Sequence, residues 1–248
     1  MHTLTRLELN QLAKLRLKSR ERREQGLFMV EGATMLGEAL KSGWTIEQLI
    51  VTSTASEELI DSLKPKSVVQ TDADGMNRLS GLQTPLQLIG VVRIPQTRLE
   101  NVLSGPVIAC LDGVTDPGNL GTIIRTAEWF GVSGLVVDGL GVDPFNEKVV
   151  RASMGSIFRV KIWESADLAS DLKTVRKSGY KLIVTDVRGS DGAVPKGNIC
   201  LVMGSEAHGV SPKVAQLADA KYSIKGSGKA ESLNVAVSFG IALYDLTK

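Results

Sequence analysis

The sequence predicts an α/β fold in two parts, a small N-terminal α/β unit followed by a larger parallel-sheet domain. Three observations carry this. Apolar strand-like runs alternate with helical patterns along the chain, and the alternation pauses once, near residue 100. Beyond that pause the strands are nearly continuous apolar runs, as suits parallel strands covered on both faces. Several of these runs end in glycine-bearing turns, and two of those turns lead straight into a helix.

In chain order, Leu4 to Leu17 reads as a basic amphipathic helix, and Phe28-Met-Val-Glu31 as a strand. A helix follows over Ala33 to Ser42, closed by Gly43. Next come a strand at Gln48 to Thr52, a helix over Ser56 to Leu63 and a strand at Ser67 to Gln70. A short helix near Asp74 to Ser80 precedes the strand Leu88 to Val92. Residues 93–106 have proline and glycine at their ends and little periodicity, so they read as a linker between domains 1–100 and 101–248. The second domain has strands at Val107 to Leu111, Gly134 to Asp138, Val160 to Trp163, Lys181 to Thr185 and Ile199 to Met203. Its helices are placed at Asn119 to Phe130, Glu147 to Met154, Ser165 to Lys177, Pro212 to Leu217 and Leu233 to Leu246.

Composition excludes several classes. A chain of 248 residues with 43% hydrophobic and 23% charged side chains folds on its own core, without disulfide or metal staples. Only 4% is aromatic, which argues against a surface of stacked rings for single strands. No apolar run reaches about 18 residues, and the first residues lack the apolar core of a signal peptide, so neither a membrane span nor secretion is expected. Cys110 and Cys200 lie inside strand-like runs and read as reduced core thiols, in keeping with a cytoplasmic location. The histidines are His2 and His208, and no metal-ligand spacing occurs, so no metal is expected.

The net charge of +2 conceals a gradient. Residues 1–30 carry seven basic against three acidic side chains, which leaves the remainder slightly acidic. The densest stretch holds Lys14, Arg16, Lys18, Arg20, Arg22 and Arg23. These are candidate nucleic-acid-binding residues, since such a cluster can neutralise several phosphates; the alternative is a solvated helix face.

Three segments carry the chemistry. The first is Asp112-Gly-Val-Thr-Asp-Pro-Gly-Asn-Leu-Gly-Thr-Ile-Ile-Arg125, a strand end, a turn and a helix start. Asn119 stands where an N-cap would. Leu120, Ile123, Ile124 and Ala127 form a buried stripe, which leaves Arg125 on the opposite side of the helix. The second, Gly204-Ser-Glu-Ala-His-Gly209, follows a strand at its carboxyl end, where open parallel sheets bind ligands. Its two glycines permit a tight backbone path. Ser205 and His208 invite a hydrolase reading, but they lack a nucleophile-elbow pattern and a third member. The third, Ile224-Lys-Gly-Ser-Gly-Lys-Ala-Glu-Ser-Leu-Asn234, leads into a final helix with Ser232 as its expected cap. That helix is apolar nearly all round, as if enclosed by neighbours or by a second subunit. A nicotinamide-binding fingerprint is absent, because Gly139-Leu-Gly141 lacks the third glycine.

Together and in this order the three segments resemble the signature motifs of the SpoU/TrmH-type RNA ribose 2′-O-methyltransferases of the SPOUT superfamily. The resemblance implies a C-terminal parallel sheet with a deep trefoil knot, preceded by a small α/β RNA-binding domain. It implies S-adenosylmethionine as cofactor, held around Thr185, Gly204, Ser205, Ile224, Ser232 and Leu233. It places active-site side chains at Asn119, Arg125, Glu206, Ser232 and Asn234, and completes the site across a homodimer. The substrate it implies is ribosomal RNA, with transfer RNA, or a noncatalytic RNA-binding role, as alternatives. The chain departs from the family pattern at Ser205 and Ala207, where Asn and Gly are usual, and at Lys225-Gly226, where Pro-Met is usual.

Overall fold

The computed structural model describes residues 2–186 and 196–247, which divide into two compact units. The first holds residues 1–96 and 145–158; the second holds 97–144 and 159–248.

In the first unit the elements run β1 (His2–Thr3), α1 (Arg6–Leu17), α2 (Ser19–Gln25), β2 (Leu27–Glu31) and α3 (Ala33–Lys41). They continue with β3 (Ile46–Val51), α4 (Glu57–Ser62), β4 (Val68–Gln70), α5 (Ala73–Leu79) and β5 (Leu88–Arg93). The sheet order is β1-β4-β3-β5-β2, parallel among β1, β4 and β3 and antiparallel through β5 to β2. Helix α1 starts at a reciprocal cap. The Thr5 hydroxyl accepts from the Glu8 amide, and the Glu8 carboxylate accepts from the Thr5 amide at 2.7 Å. Leu4, Leu15, Met29, Ile50, Val69, Met76 and Leu79 form the core between sheet and helices.

The second unit opens with α6 (Leu99–Val102), inside the stretch expected to be a linker. Leu99 and Val102 are buried in its core, and one helical turn is too short to show periodicity. Then follow β6 (Val107–Asp112), α7 (Pro117–Trp129) and β7 (Gly134–Asp138). The chain next passes through α8 (Glu147–Ala152) and a 3-10 turn at Ser156–Phe158, both belonging to the first unit. It returns as β8 (Lys161–Ser165), α9 (Leu168–Lys177), β9 (Lys181–Thr185), β10 (Ile199–Gly204), α10 (Pro212–Ala215), β11 (Ala220–Tyr222) and α11 (Val235–Leu246). All neighbours in the order β11-β9-β10-β6-β7-β8 are parallel. The short strand β11 was not expected, because two half-buried residues on either side of the exposed Lys221 carry no apolar run.

The expected boundary at residue 100 is therefore corrected in two respects: it falls near Gln96, and residues 145–158 go with the first unit. An aromatic cluster there explains why. The rings of Phe28 and Phe145 lie 5.0 Å apart and those of Trp44 and Phe158 5.3 Å apart. The Trp44 indole N–H donates to the Phe158 carbonyl at 2.9 Å.

The same unit revises the basic cluster. Arg22 is buried, and its guanidinium donates to the carbonyls of Leu15 and Arg16 at 2.9 and 2.7 Å. It satisfies the C-terminal carbonyls of α1 and is withdrawn from the RNA-binding candidates. Arg16 is half-buried and ion-paired with Glu147 at 3.3 Å, so it too is structural. Lys14, Lys18, Arg20 and Arg23 remain exposed, Arg20 within reach of Glu24.

Candidate functional site

Beyond the carboxyl ends of β6 and β10, the three motif segments meet. Two hydrogen bonds anchor the first segment to neighbouring loops. The Asp112 carboxylate, at the end of β6, accepts from the Ser211 amide at 2.7 Å, and the Val142 amide donates to the Val114 carbonyl at 3.0 Å.

Helix α7 is capped by Asp116, whose carboxylate accepts from the Asn119 amide at 2.8 Å, with Pro117 as first helical residue. The expectation that Asn119 is the cap is thus corrected. Proline favours the first helical position, and that preference read from sequence would have pointed to the residue before it. Freed from capping, the Asn119 side chain faces the other two motifs. Its Nδ2 donates to Glu206 Oε1, and its Oδ1 accepts from Asn234 Nδ2 at 2.9 Å.

Asn234, not Ser232, caps α11, its Oδ1 accepting from the amides of Ala236 and Val237 at 2.9 and 3.3 Å. Both residue types cap well, so composition did not discriminate between them. This cap fixes the direction of the whole line. With Asn234 Oδ1 committed to α11, its amide must donate to Asn119, whose own amide must then donate to the carboxylate of Glu206. Ser232 and Leu233 are exposed just before the cap.

The second motif is a closed turn. Ser205 and Gly209 exchange main-chain hydrogen bonds of 3.1 and 2.9 Å, and the Ser205 hydroxyl accepts from the His208 amide at 3.2 Å. That contact is to the backbone, so Ser205 and His208 form no nucleophile–base pair. A Cβ at Gly204 would stand 2.1 Å from the Gly209 carbonyl carbon, and Gly209 has φ +66°. Gly204 thus has no room for a side chain, and glycine takes the left-handed backbone at 209 without strain. Glu206 is exposed on the turn.

Around these groups, the Thr185 hydroxyl is taken up by the Val202 carbonyl at 3.1 Å, and Ile224 is half-buried two residues past β11. The Tyr222 hydroxyl donates to Asp245 at 2.7 Å, tying β11 to α11; burial first, and this bond second, push its pKa up to about 12. Arg125 is exposed on α7, with no hydrogen-bond or ion-pair partner among the described residues. Burial raises both cysteine thiols well above their ordinary range, so neither is a nucleophile at neutral pH. Among the described residues no cluster fit for a metal ion occurs, and no helix is long and apolar enough to cross a membrane.

A parallel sheet whose glycine-bearing loops gather polar side chains at its carboxyl edge defines an α/β protein that binds its ligand there. Comparison with known proteins is specific. The SpoU rRNA Methylase family model matches residues 106–244, and an MRM3-like substrate binding domain matches residues 8–90. The chain belongs to the SpoU rRNA Methylase family. It is 30% identical over 239 residues to the 23S rRNA (guanosine(2553)-2′-O)-methyltransferase RlmP of Bacillus subtilis, covering 92% of this chain and 91% of that one. The SpoU methyltransferase AviRb of Streptomyces viridochromogenes, solved with S-adenosylmethionine, superposes with a TM-score of 0.89 at 25% identity, covering 98% of this chain and 97% of AviRb. The S-adenosylmethionine-bound rRNA methyltransferase of Sinorhizobium meliloti gives 0.87 at 29%, covering 99% and 95%.

Proposed function

We propose that this protein is an S-adenosylmethionine-dependent RNA methyltransferase that modifies a ribose 2′-hydroxyl of ribosomal RNA. The observation that carries the reading is the line Asn234–Asn119–Glu206, which joins all three family motifs at one sheet edge. The residues there fit the cofactor. The turn 204–209 is too tight for a side chain at Gly204, and residues 223–234 lie outside any helix or strand, so the main-chain groups of that stretch are not taken up by a helix or sheet ladder and can serve a ligand. Gly204, Ser205, Ile224 and Leu233 would hold it, with Thr185 at the neighbouring strand end. S-adenosylmethionine supplies an electrophilic methyl group on a sulfonium. The knot that the resemblance implies would run through these same loops.

The chain's own part is positioning. Glu206 holds the Asn119 amide from one side and Asn234 from the other, which fixes the start of α7 against the start of α11. The Arg125 guanidinium is a cation with donors only, so it acts as a clamp on the substrate phosphate and stabilises negative charge developing on oxygen. The hydroxyl proton then leaves to that phosphate or to water. In this reading Ser232, exposed just before the cap of α11, meets the ribose.

The working form in this reading is a homodimer in the cytoplasm. Val237, Ile241 and Tyr244 make an exposed stripe on α11, continued by Leu233 and, on α7, by Trp129, which is 84% exposed. Such apolar side chains fit coverage by a second copy, which would also bring a partner surface to Arg125. Light scattering coupled to size exclusion should give twice the chain mass, and Val237→Glu with Tyr244→Glu should halve it.

The deciding experiment is incubation with labelled S-adenosylmethionine and unmodified ribosomal and transfer RNA, digestion to nucleosides and mass spectrometry. A 2′-O-methylnucleoside in ribosomal RNA, absent with Arg125→Ala, is the expected result. Product in transfer RNA alone would replace the substrate, and no product in any RNA would overturn the reading.

A further inference from the structure

In the first unit, three loops converge at one end of the sheet. Strands β3 and β4 are parallel neighbours, so Thr52 and Thr71 leave them at the same edge. Residues 85–87 enter β5 beside them, where the Thr52 amide donates to the Gln87 carbonyl at 3.0 Å. Between these loops lies a cleft of about 320 Å³, at the lower end of the range for ligand sites.

Its lining is distinctive in charge and in hydrogen-bonding capacity. No lysine, arginine or histidine faces it, and its one ionisable group is the Asp72 carboxylate, one oxygen of which accepts from the Gly75 amide at 2.8 Å. A phosphate is therefore unsuited to the interior. Met76 is buried at the floor, and Leu86 stands 44% exposed beside Pro85. Against these apolar walls are set the side-chain amides of Asn77 and Gln87, both exposed and both without a partner among the described residues. Each offers a donor and an acceptor in one plane. Apolar side chains next to groups that each donate and accept suit the face and edge of an unpaired nucleobase, which is how proteins read single-stranded RNA.

The surroundings suit the rest of a nucleotide chain. Helix α5, which supplies Met76 and Asn77, packs against α1, and Arg78 of α5 donates to Asn10 of α1. Lys14 on that helix and Lys18 at its end are exposed. Backbone contacts position an RNA, and base contacts specify it.

We propose that this cleft receives one unpaired base of the RNA substrate, so that the first unit selects its target by base identity as well as by charge. The proposal rests on the RNA methyltransferase reading. The test uses the full chain with an unmodified 23S rRNA transcript, comparing wild type with Asn77→Ala/Gln87→Ala and with the near-isosteric Asn77→Asp. Thermal melts establish that each variant folds. The KM for RNA should rise about tenfold or more in the double variant, while kcat and cofactor affinity stay put. Ultraviolet cross-linking should recover RNA on peptides spanning residues 71–87 in wild type and lose it in the variants. A methylating wild type whose KM the variants share would overturn the proposal. Should wild type make no product, the function reading fails, and the cross-links alone decide for or against the cleft. Titration with free nucleosides separates a small-molecule site: micromolar binding with unchanged RNA cross-links would overturn the proposal.

Discussion

The side-chain amide of Asn234 donates to Asn119 Oδ1 across 2.9 Å, although 115 residues separate them in the chain. One residue caps the last helix; the other sits in the first turn of the helix at the opposite end of the domain's sequence.

That pair has two functions that substitution can separate. Asn234→Ala removes both the α11 cap and the donor to Asn119, and should cost about 1 kcal/mol with methyl transfer lost. Asn234→Asp retains an oxygen for the amides of Ala236 and Val237 but sets a carboxylate against Asn119 Oδ1. Its melting temperature should stay within a few degrees of wild type while kcat falls at least tenfold. Thermal melts beside single-turnover assays check this, and full activity in Asn234→Asp would show that the cap alone matters.

The basic N-terminal helices contain cations of two kinds. Arg22→Ala strands the Leu15 and Arg16 carbonyls and should cost about 1–3 kcal/mol in urea unfolding, with no change in the salt dependence of RNA binding. Lys14→Ala should leave the unfolding midpoint alone and lower the slope of log K against log salt by about one. Titrations at several salt concentrations distinguish them.

Much of this division was hidden from sequence reading. Charge density marks Lys14 through Arg23 as one patch, because spacing does not say which guanidinium folds back onto a helix end. The parallel strands and their glycine-bearing turns were legible, since burial on both faces demands continuous apolar runs and Gly204 has no room for a Cβ. The two caps were displaced by three and two residues, from Asn119 to Asp116 and from Ser232 to Asn234, because several neighbouring residues have capping side chains. Helix α8 fits the periodicity of a sheet-covering helix. The contacts of Phe145 and Phe158 with Phe28 and Trp44, and the Arg16–Glu147 ion pair, reveal that its segment belongs elsewhere.

That segment changes what truncation should do. Removing residues 1–96 would seem to isolate a catalytic domain, yet it strips the partners from Phe145, Val149, Val150, Ile157 and Phe158. The fragment should aggregate, as exposed apolar clusters do. Replacing 145–158 by a short glycine–serine linker in the same fragment should restore a monodisperse protein. Size exclusion of both fragments settles it, and a well-behaved simple truncation would mean that the segment folds back by itself.

Tyr222 supplies a pH signature for the tie between β11 and α11. Its phenol is held protonated by burial and by the Asp245 carboxylate, with a folded pKa of about 12 against an ordinary value near 10. The folded state thus binds this proton more tightly than the unfolded chain does. The stabilisation is complete below pH 10 and disappears as pH rises through 12. Tyr222→Phe should be less stable than wild type at pH 8, and the difference should shrink between pH 10 and 12. Urea midpoints of the two proteins across that range are the measurement. Parallel curves would show that the Asp245 contact contributes nothing to holding the loop 223–234 between its flanking elements.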